Sequence, residues 1–216
     1  MKSYRTLDKD AFFTGTIIEK KSRFIGELSY ADTPEAAAAV LAAARKKYYD
    51  AKHHCSASIV LGEDGAPDRE HSSDDGEPSG TAGRPILDVL RGSELKNVVL
   101  IVTRYFGGTL LGTGGLVRAY TDAAKAALEQ AEILRMRPMT AFRIIFAYPS
   151  EGTVRRFLAE RNVVSGEPEY SDRVTFNVHI PEETIEAFQA DLVNLLSGAV
   201  EIEQGKTDFM PGPDTD

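Results

Sequence analysis

Cysteine occurs once in the 216 residues. A lone thiol cannot close an internal disulfide, which excludes a disulfide-stapled scaffold and fits a reducing compartment. Long apolar runs are also missing. The longest strongly apolar one, Val98–Val102, falls far short of the roughly 20 residues that span a bilayer. The opening stretch MKSYRTLDKDAFF has charges but no apolar segment behind them, so no secretory signal is read. A cytoplasmic protein with no membrane partner is expected. Positive charge is scarce in the second half: residues 139–216 hold 6 Lys and Arg against 14 Asp and Glu, whereas residues 1–138 hold 19 of each. A nucleic-acid surface needs cations to displace counterions, so any such contact is expected before residue 139. What remains is ordinary for a globular chain, with 42% hydrophobic and 27% charged residues and enough length for one large domain or two small ones.

No fixed-period repeat or low-complexity tract interrupts the chain. Phe12–Tyr30 is rich in β-formers and reads as two strands turning near Lys20–Ser22. Thr33 as N-cap and Pro34 in the first turn open a helix to about Tyr48, with Arg45–Lys47 at its cation-favouring end. A strand follows at Cys55–Leu61, then a long polar loop, Gly62–Gly83, then a short helix near Pro85. Asn97–Arg104 reads as a buried strand because its apolar run barely alternates. After glycine-rich residues 107–115, Leu116–Ala131 forms the clearest helix, and Arg135–Pro138 reads as a linker.

The remainder follows a β-α-β order. Phe142, Ile144, Phe146 and Tyr148 alternate, Ser150 caps a helix, Val163–Glu169 is a weak strand, and Val174, Phe176, Val178 and Ile180 alternate again. A helix opens at Pro181 and Ala199–Glu203 closes the set, giving βαββαβ, the ferredoxin-like pattern. The polar side of these strands shows Arg143, Thr175, Asn177, His179, Glu201 and Glu203, with no aromatic residue. Base-stacking RNA sheets need exposed aromatics, so that reading is rejected here. Two domains are expected, 1–138 and 139–205, with a loose tail at 206–216.

Three clusters carry chemistry. In SSDDGEPSGTAGRPIL, Asp74, Asp75 and Glu77 put three carboxylates within four positions, with Ser79, Gly80 and Thr81 beside them. Oxygen ligands on a loop suit Mg²⁺ or a Mg²⁺-bound phosphate; the alternative is a structured turn built from Gly, Pro and Ser/Thr. In TRYFGGTLLGTGGLVRAY, five glycines (Gly107, Gly108, Gly112, Gly114, Gly115) lead from a strand into a helix, flanked by Arg104, Tyr105 and Arg118. A helix N-terminus approached through glycine suits an anion; the alternative is tight chain reversal with close packing. The loop is neither a Walker A sequence nor a dinucleotide fingerprint. In AKHHCSAS, His53 and Cys55 share one strand face, while His54 points to the other. A Cys–His nucleophile lacks an orienting partner there, and a strand cysteine is commonly a small buried hydrophobe.

DDGEPSGTAGRPIL followed by VVLIVTRYFGGTLLGTGGLVRAYTDAAKAAL resembles the IMPACT/YigZ family, as do KSRFIGEL and AKHHCSA. The resemblance covers residues 1 to about 130. It implies an α+β protein of two domains: an N-terminal α/β sandwich like the second domain of a small-subunit ribosomal protein, and a ferredoxin-like C-terminal domain. It implies translational control for eukaryotic relatives and no established reaction for bacterial ones. Two readings follow. One is a translation-associated binder that meets the ribosome, RNA or a translation factor through the glycine-rich face around Arg104, Gly107, Gly108, Gly114 and Arg118. The other is a Mg²⁺-dependent enzyme or a small phosphorylated-ligand domain using the DDGEPSG and GTGGL loops. The binder is preferred because no nucleophile, base and orienting group can be assembled.

Overall fold

In the computed structural model, residues 2–62, 66–163 and 165–212 are described. They form two compact units, Tyr4–Arg135 and Met136–Gly212. The first holds β1 (Tyr4–Thr6), β2 (Phe12–Glu19), β3 (Ser22–Tyr30), α1 (Pro34–Lys47), β4 (His53–Val60), β5 (Arg69–Ser73), α2 (Gly83–Ser93), β6 (Val98–Tyr105) and α3 (Gly112–Leu128). Strands β2-β3-β6-β4-β5 lie in that order, each pair antiparallel.

Strand β6 sits at the centre and is covered on both faces. Val98, Leu100 and Val102 join the core shared with α2 and α3, while Val99 and Ile101 pack with Ala37 and Ala44 of α1. Burial on both sides is why this strand shows an unbroken apolar run. Helix α1 starts where the capping residues place it, with Thr33 Oγ1 accepting the Ala36 N–H at 3.0 Å. The β2–β3 hairpin turns on Lys20 and Lys21, both left-handed (φ 46° and 68°), as two-residue hairpins favour. Gly15 and Gly26 face each other across that hairpin. A Cβ on Gly15 would lie 2.2 Å from the Ala126 carbonyl carbon, and one on Gly26 would lie 2.5 Å from the Ala123 oxygen. The two glycines thus let the α3 backbone rest directly on the sheet.

Two expectations for this unit change. The long polar loop contains an edge strand, β5, whose Arg69–Ser73 side chains are polar and mostly exposed; backbone pairing with β4 forms it, so no apolar alternation announced it. Helix α3 begins at Gly112, four residues earlier than expected, because its first-turn amides need no intrahelical partner and glycine is tolerated there.

The second unit takes in most of β7 (Leu134–Phe146), then α4 (Glu151–Glu160), β8 (Glu169–Tyr170), β9 (Val174–Pro181), α5 (Ile185–Leu195) and β10 (Val200–Gly212). The element order is βαββαβ; β7 pairs with β9 and with β10, and β9 pairs with β8. The division between the units falls within Arg135–Pro138, where a linker was expected, but the segment is strand and part of β7, with Pro138 in phase with buried Thr140, Phe142 and Ile144. Strand β10 runs on to Gly212 where a tail was expected; 213–216 lie outside the described residues. The weak strand at 163–169 reduces to β8 and one bridge, Ser165 to Val178, because Pro168 has no N–H to donate. Ser150 closes a 3₁₀ turn and makes no capping bond. Phe142, Phe146 and Phe176 are buried, and the polar side is laced by ion pairs such as Arg143–Glu203 at 2.6 Å. The expected absence of exposed aromatics does not hold at the edge, where Tyr170 of β8 is exposed with its ring stacked on that of Tyr148 at 6.2 Å.

Candidate functional site

The first two clusters meet at one carboxylate. Arg104, the last residue but one of β6, lies on the same face as Val98, Leu100 and Val102, which pack under α2 and α3. Its Nη1 donates to Glu77 Oε1 at 2.6 Å. The Tyr120 hydroxyl, from the third turn of α3, donates to the same oxygen at 2.7 Å. The side chains of Glu77 and Arg104 are only 4% and 7% exposed, and Tyr120 is fully buried with its ring edge-on to Phe24 at 5.2 Å. Burial is the main reason the Tyr120 phenol is pushed far above its ordinary pKa, with Cys55 and Glu77 adding to it. One buried acid therefore ties the acidic loop, the central strand and the glycine-led helix together.

The other two carboxylates of the DDGE run are spent elsewhere. Asp74 Oδ1 accepts the Ala82 and Gly83 N–H groups at 3.0 and 2.8 Å, and Oδ2 accepts that of Gly80 at 2.8 Å. It caps α2, which has no cap from its own N-cap residue. Burial alone would raise the Asp74 pKa, but the amides of Gly80, Gly83 and Ala82 hold it below the usual value. Asp75 Oδ1 accepts from Arg45 Nη2 at 2.7 Å and Oδ2 from the His54 N–H at 2.7 Å. The chain reverses between them through Asp75 and Gly76, both at positive φ. The Mg²⁺ reading of Asp74, Asp75 and Glu77 is thus corrected: each carboxylate faces different protein donors. Among the described residues no group of three or more His, Cys, Asp or Glu is placed to hold a metal.

The third cluster lies against the same turn. His53 Nδ1 is 2.8 Å from the Asp75 carbonyl, and the Cys55 thiol donates to the Asp74 carbonyl at 3.0 Å. These two share a face as expected, while His54 Nε2 lies 3.1 Å from the Tyr48 carbonyl on the α1 side. Burial pushes the Cys55 thiol up to about 12. A thiol held protonated is a poor nucleophile, so Cys55 is a buttress of the turn. Thr81 donates to the Pro78 carbonyl at 2.7 Å, the Gly80 amide is taken by Asp74, and Ser79 is exposed.

The glycine segment behaves differently. Gly107 is required by packing, since a Cβ there would lie 2.0 Å from the Lys21 carbonyl carbon, and its N–H donates to Ser22 Oγ at 3.0 Å. Gly108 and Gly112 hold positive φ with open space around them. Gly115 meets only the Leu111 side chain, at 3.1 Å. Gly114 has neither a positive φ nor any atom near a Cβ, although glycine inside a helix costs roughly 1 kcal/mol relative to alanine. The α3 N-terminus carries no side-chain cap. Around this bare backbone stand Phe106 (55% exposed) and Leu110 (83%).

The cations of this face differ from those expected. Arg104 is committed to Glu77 and is not a free surface charge. Arg118 is exposed on α3. The residues missed are Lys20 and Lys21, which the close approach at Gly107 brings beside the glycines, together with Arg23 and Lys52. Arg23 stacks over the Tyr105 ring at 4.7 Å, and the Tyr105 hydroxyl donates to Asp50 at 2.7 Å. Among the described residues, Lys20, Lys21, Lys52 and Arg118 have no ion-pair partner. The run Lys20-Lys21-Ser22-Arg23 at a hairpin turn was the available signal. A second buried acid was also missed: Glu27 of β3 accepts from Lys47 at 2.6 Å and from Tyr48 at 2.9 Å.

Comparison with known proteins agrees with this layout. Residues 20–128 match the family model described as Impact N-terminal domain, and residues 144–199 match a domain of unknown function, DUF1949. A Bacillus subtilis protein named IMPACT family member YvyE is 35% identical, over 90% of this chain and 88% of its own length. The Escherichia coli IMPACT family member YigZ is 37% identical, over 87% of this chain and 92% of its own. A crystal structure titled as a hypothetical protein is similar at TM-score 0.60 and 35% identity, covering 94% of this chain and 97% of that one.

Proposed function

This chain belongs to the IMPACT family, and from that premise we propose that it is a translation-associated binding protein whose first unit meets ribosomal RNA through the glycine-rich face. The observation that carries this reading is the pairing of uncommitted cations with uncovered backbone. Among the described residues, Lys20, Lys21, Lys52 and Arg118 have no carboxylate partner, while Gly108, Gly112 and Gly114 leave the main chain open to approach. In a half of the chain whose net charge is zero, free cations at one end of the sheet make a local basic patch. Phosphate contacts of this kind fix position and carry little sequence information. The Glu77–Arg104–Tyr120 triad holds β6 and α3 in register behind the patch and is a positioning element.

Binding to purified ribosomal RNA, titrated against salt, tests the reading. Affinity falls with salt at a slope of about −0.7 per neutralised phosphate on single strands. Lys20→Ala/Lys21→Ala, removing two such contacts, makes that slope shallower by about 1.4 and weakens binding uniformly across sequences. A slope unchanged by that substitution contradicts the placement of the contact.

A further inference from the structure

A cleft of about 510 Å³ opens beside the face just described, lined by Asp50, Lys52, His53, Arg104, Tyr105, Phe106 and Leu110 with Ala51. Its size lies within the roughly 300–1,000 Å³ typical of small-ligand pockets. Four features of its wall are unusual together. Arg104 is more than nine-tenths buried, and its Nε finds no acceptor among the described residues; an unmet buried donor calls for a specific explanation. His53 Nδ1 faces a carbonyl and so carries the proton, which leaves Nε2 with no protein partner among the described residues. Phe106 presents an exposed ring, and Lys52 brings an unpaired ammonium to the same cleft. The one carboxylate in the wall, Asp50, is occupied by the Tyr105 hydroxyl.

An exposed aromatic ring, a buried guanidinium 5.6 Å from its centroid with one unmet donor, and an exposed ammonium together match a base joined to a phosphate. We propose that this cleft binds one nucleotide, its base stacked on Phe106 with an acceptor edge toward Arg104, and its phosphate met by Lys52. The nucleotide is either a free mononucleotide or an unpaired residue of an RNA strand, since RNA is commonly read through splayed, stacked bases. In the second case the proposal rests on the ribosomal-RNA reading above.

The chain has no tryptophan, so Phe106→Trp places a single indole at the proposed stacking position without disturbing the core. Its fluorescence is followed while adenosine or uridine monophosphate, or a short single-stranded RNA, is added, with RNA binding measured in parallel by anisotropy. Saturable quenching by RNA, with the RNA released by excess mononucleotide in the anisotropy while the indole stays quenched, supports the cleft as the RNA contact. Lys52→Ala in the same background is expected to weaken the quenching interaction about tenfold. Quenching by mononucleotide alone, with no RNA binding, supports the cleft and overturns the ribosomal reading. RNA binding with an unchanged indole signal overturns the cleft and leaves the face. No response to either probe overturns both.

Discussion

Replacing Glu77 with alanine is expected to destabilise the first unit by about 3–5 kcal/mol, the loss typical when one partner of a buried ion pair is removed. Three consequences combine. Arg104 keeps its charge in a nearly dry site, where its Nε already lacks an acceptor. The Tyr120 hydroxyl loses its acceptor while remaining fully buried. The turn between β5 and α2 loses its tether to β6. Burying a charged pair costs nearly as much as the pair returns, so the charge left alone causes most of the damage. Glu77→Leu/Arg104→Met is therefore expected to recover most of the loss, because an apolar pair of similar volume removes both desolvation costs. Urea denaturation followed separately in the two units reads this directly. The transition of residues 4–135 should move, and that of residues 136–212 should stay. A double variant no more stable than Glu77→Ala would show that the triad stabilises through something other than charge compensation.

The second large effect falls on Asp74. Its carboxylate satisfies three backbone donors at the start of α2, and a helix cap is typically worth about 1 kcal/mol, with charged acceptors roughly double that. Asp74→Asn is expected to cost about 2–3 kcal/mol at neutral pH. The sign with pH follows from the direction of the shift. Burial opposes ionisation but the amide donors win, so the folded pKa lies below the unfolded value, which is about 3.9. Such a group adds stability above the unfolded value and loses it as pH falls through the folded one. The gap in stability between wild type and Asp74→Asn should be full at neutral pH and shrink on strong acidification. A gap that stays constant across that range would mean the carboxylate charge is not what holds the turn.

Much of the fold was legible because its signals are local. Thr33 and Pro34 set the start of α1 through sterics and one hydrogen bond, and Val98–Val102 announced a strand covered on both faces. The alternation Phe142–Ile144–Phe146 did the same for the second unit. Pairing partners were not legible. Strand β5 exists because β4 offers it an unpaired edge, and β7 runs on through Pro138, beyond its last pair with β9 at Met139. The site followed the same rule. That Asp74, Asp75 and Glu77 were polar and close in sequence was visible; that their oxygens turn to an α2 terminus, to Arg45 with His54, and to Arg104 with Tyr120 depends on contacts 27 to 43 residues away in the last case. Lys20 and Lys21 looked like an ordinary turn until Gly107 brought them against the glycine segment.

The most direct test of the ribosomal contact is co-sedimentation of the full chain with intact ribosomes at low and moderate salt, comparing wild type with Lys20→Ala/Lys21→Ala/Arg118→Ala. These side chains are exposed and have no ion-pair partner among the described residues, so the variant should keep its circular dichroism and its urea midpoint. The account predicts that wild type pellets with ribosomes at low salt, that moderate salt releases most of it, and that the triple variant stays in the supernatant at both. Wild type that fails to pellet at either salt, or a triple variant that pellets as wild type does, would contradict it.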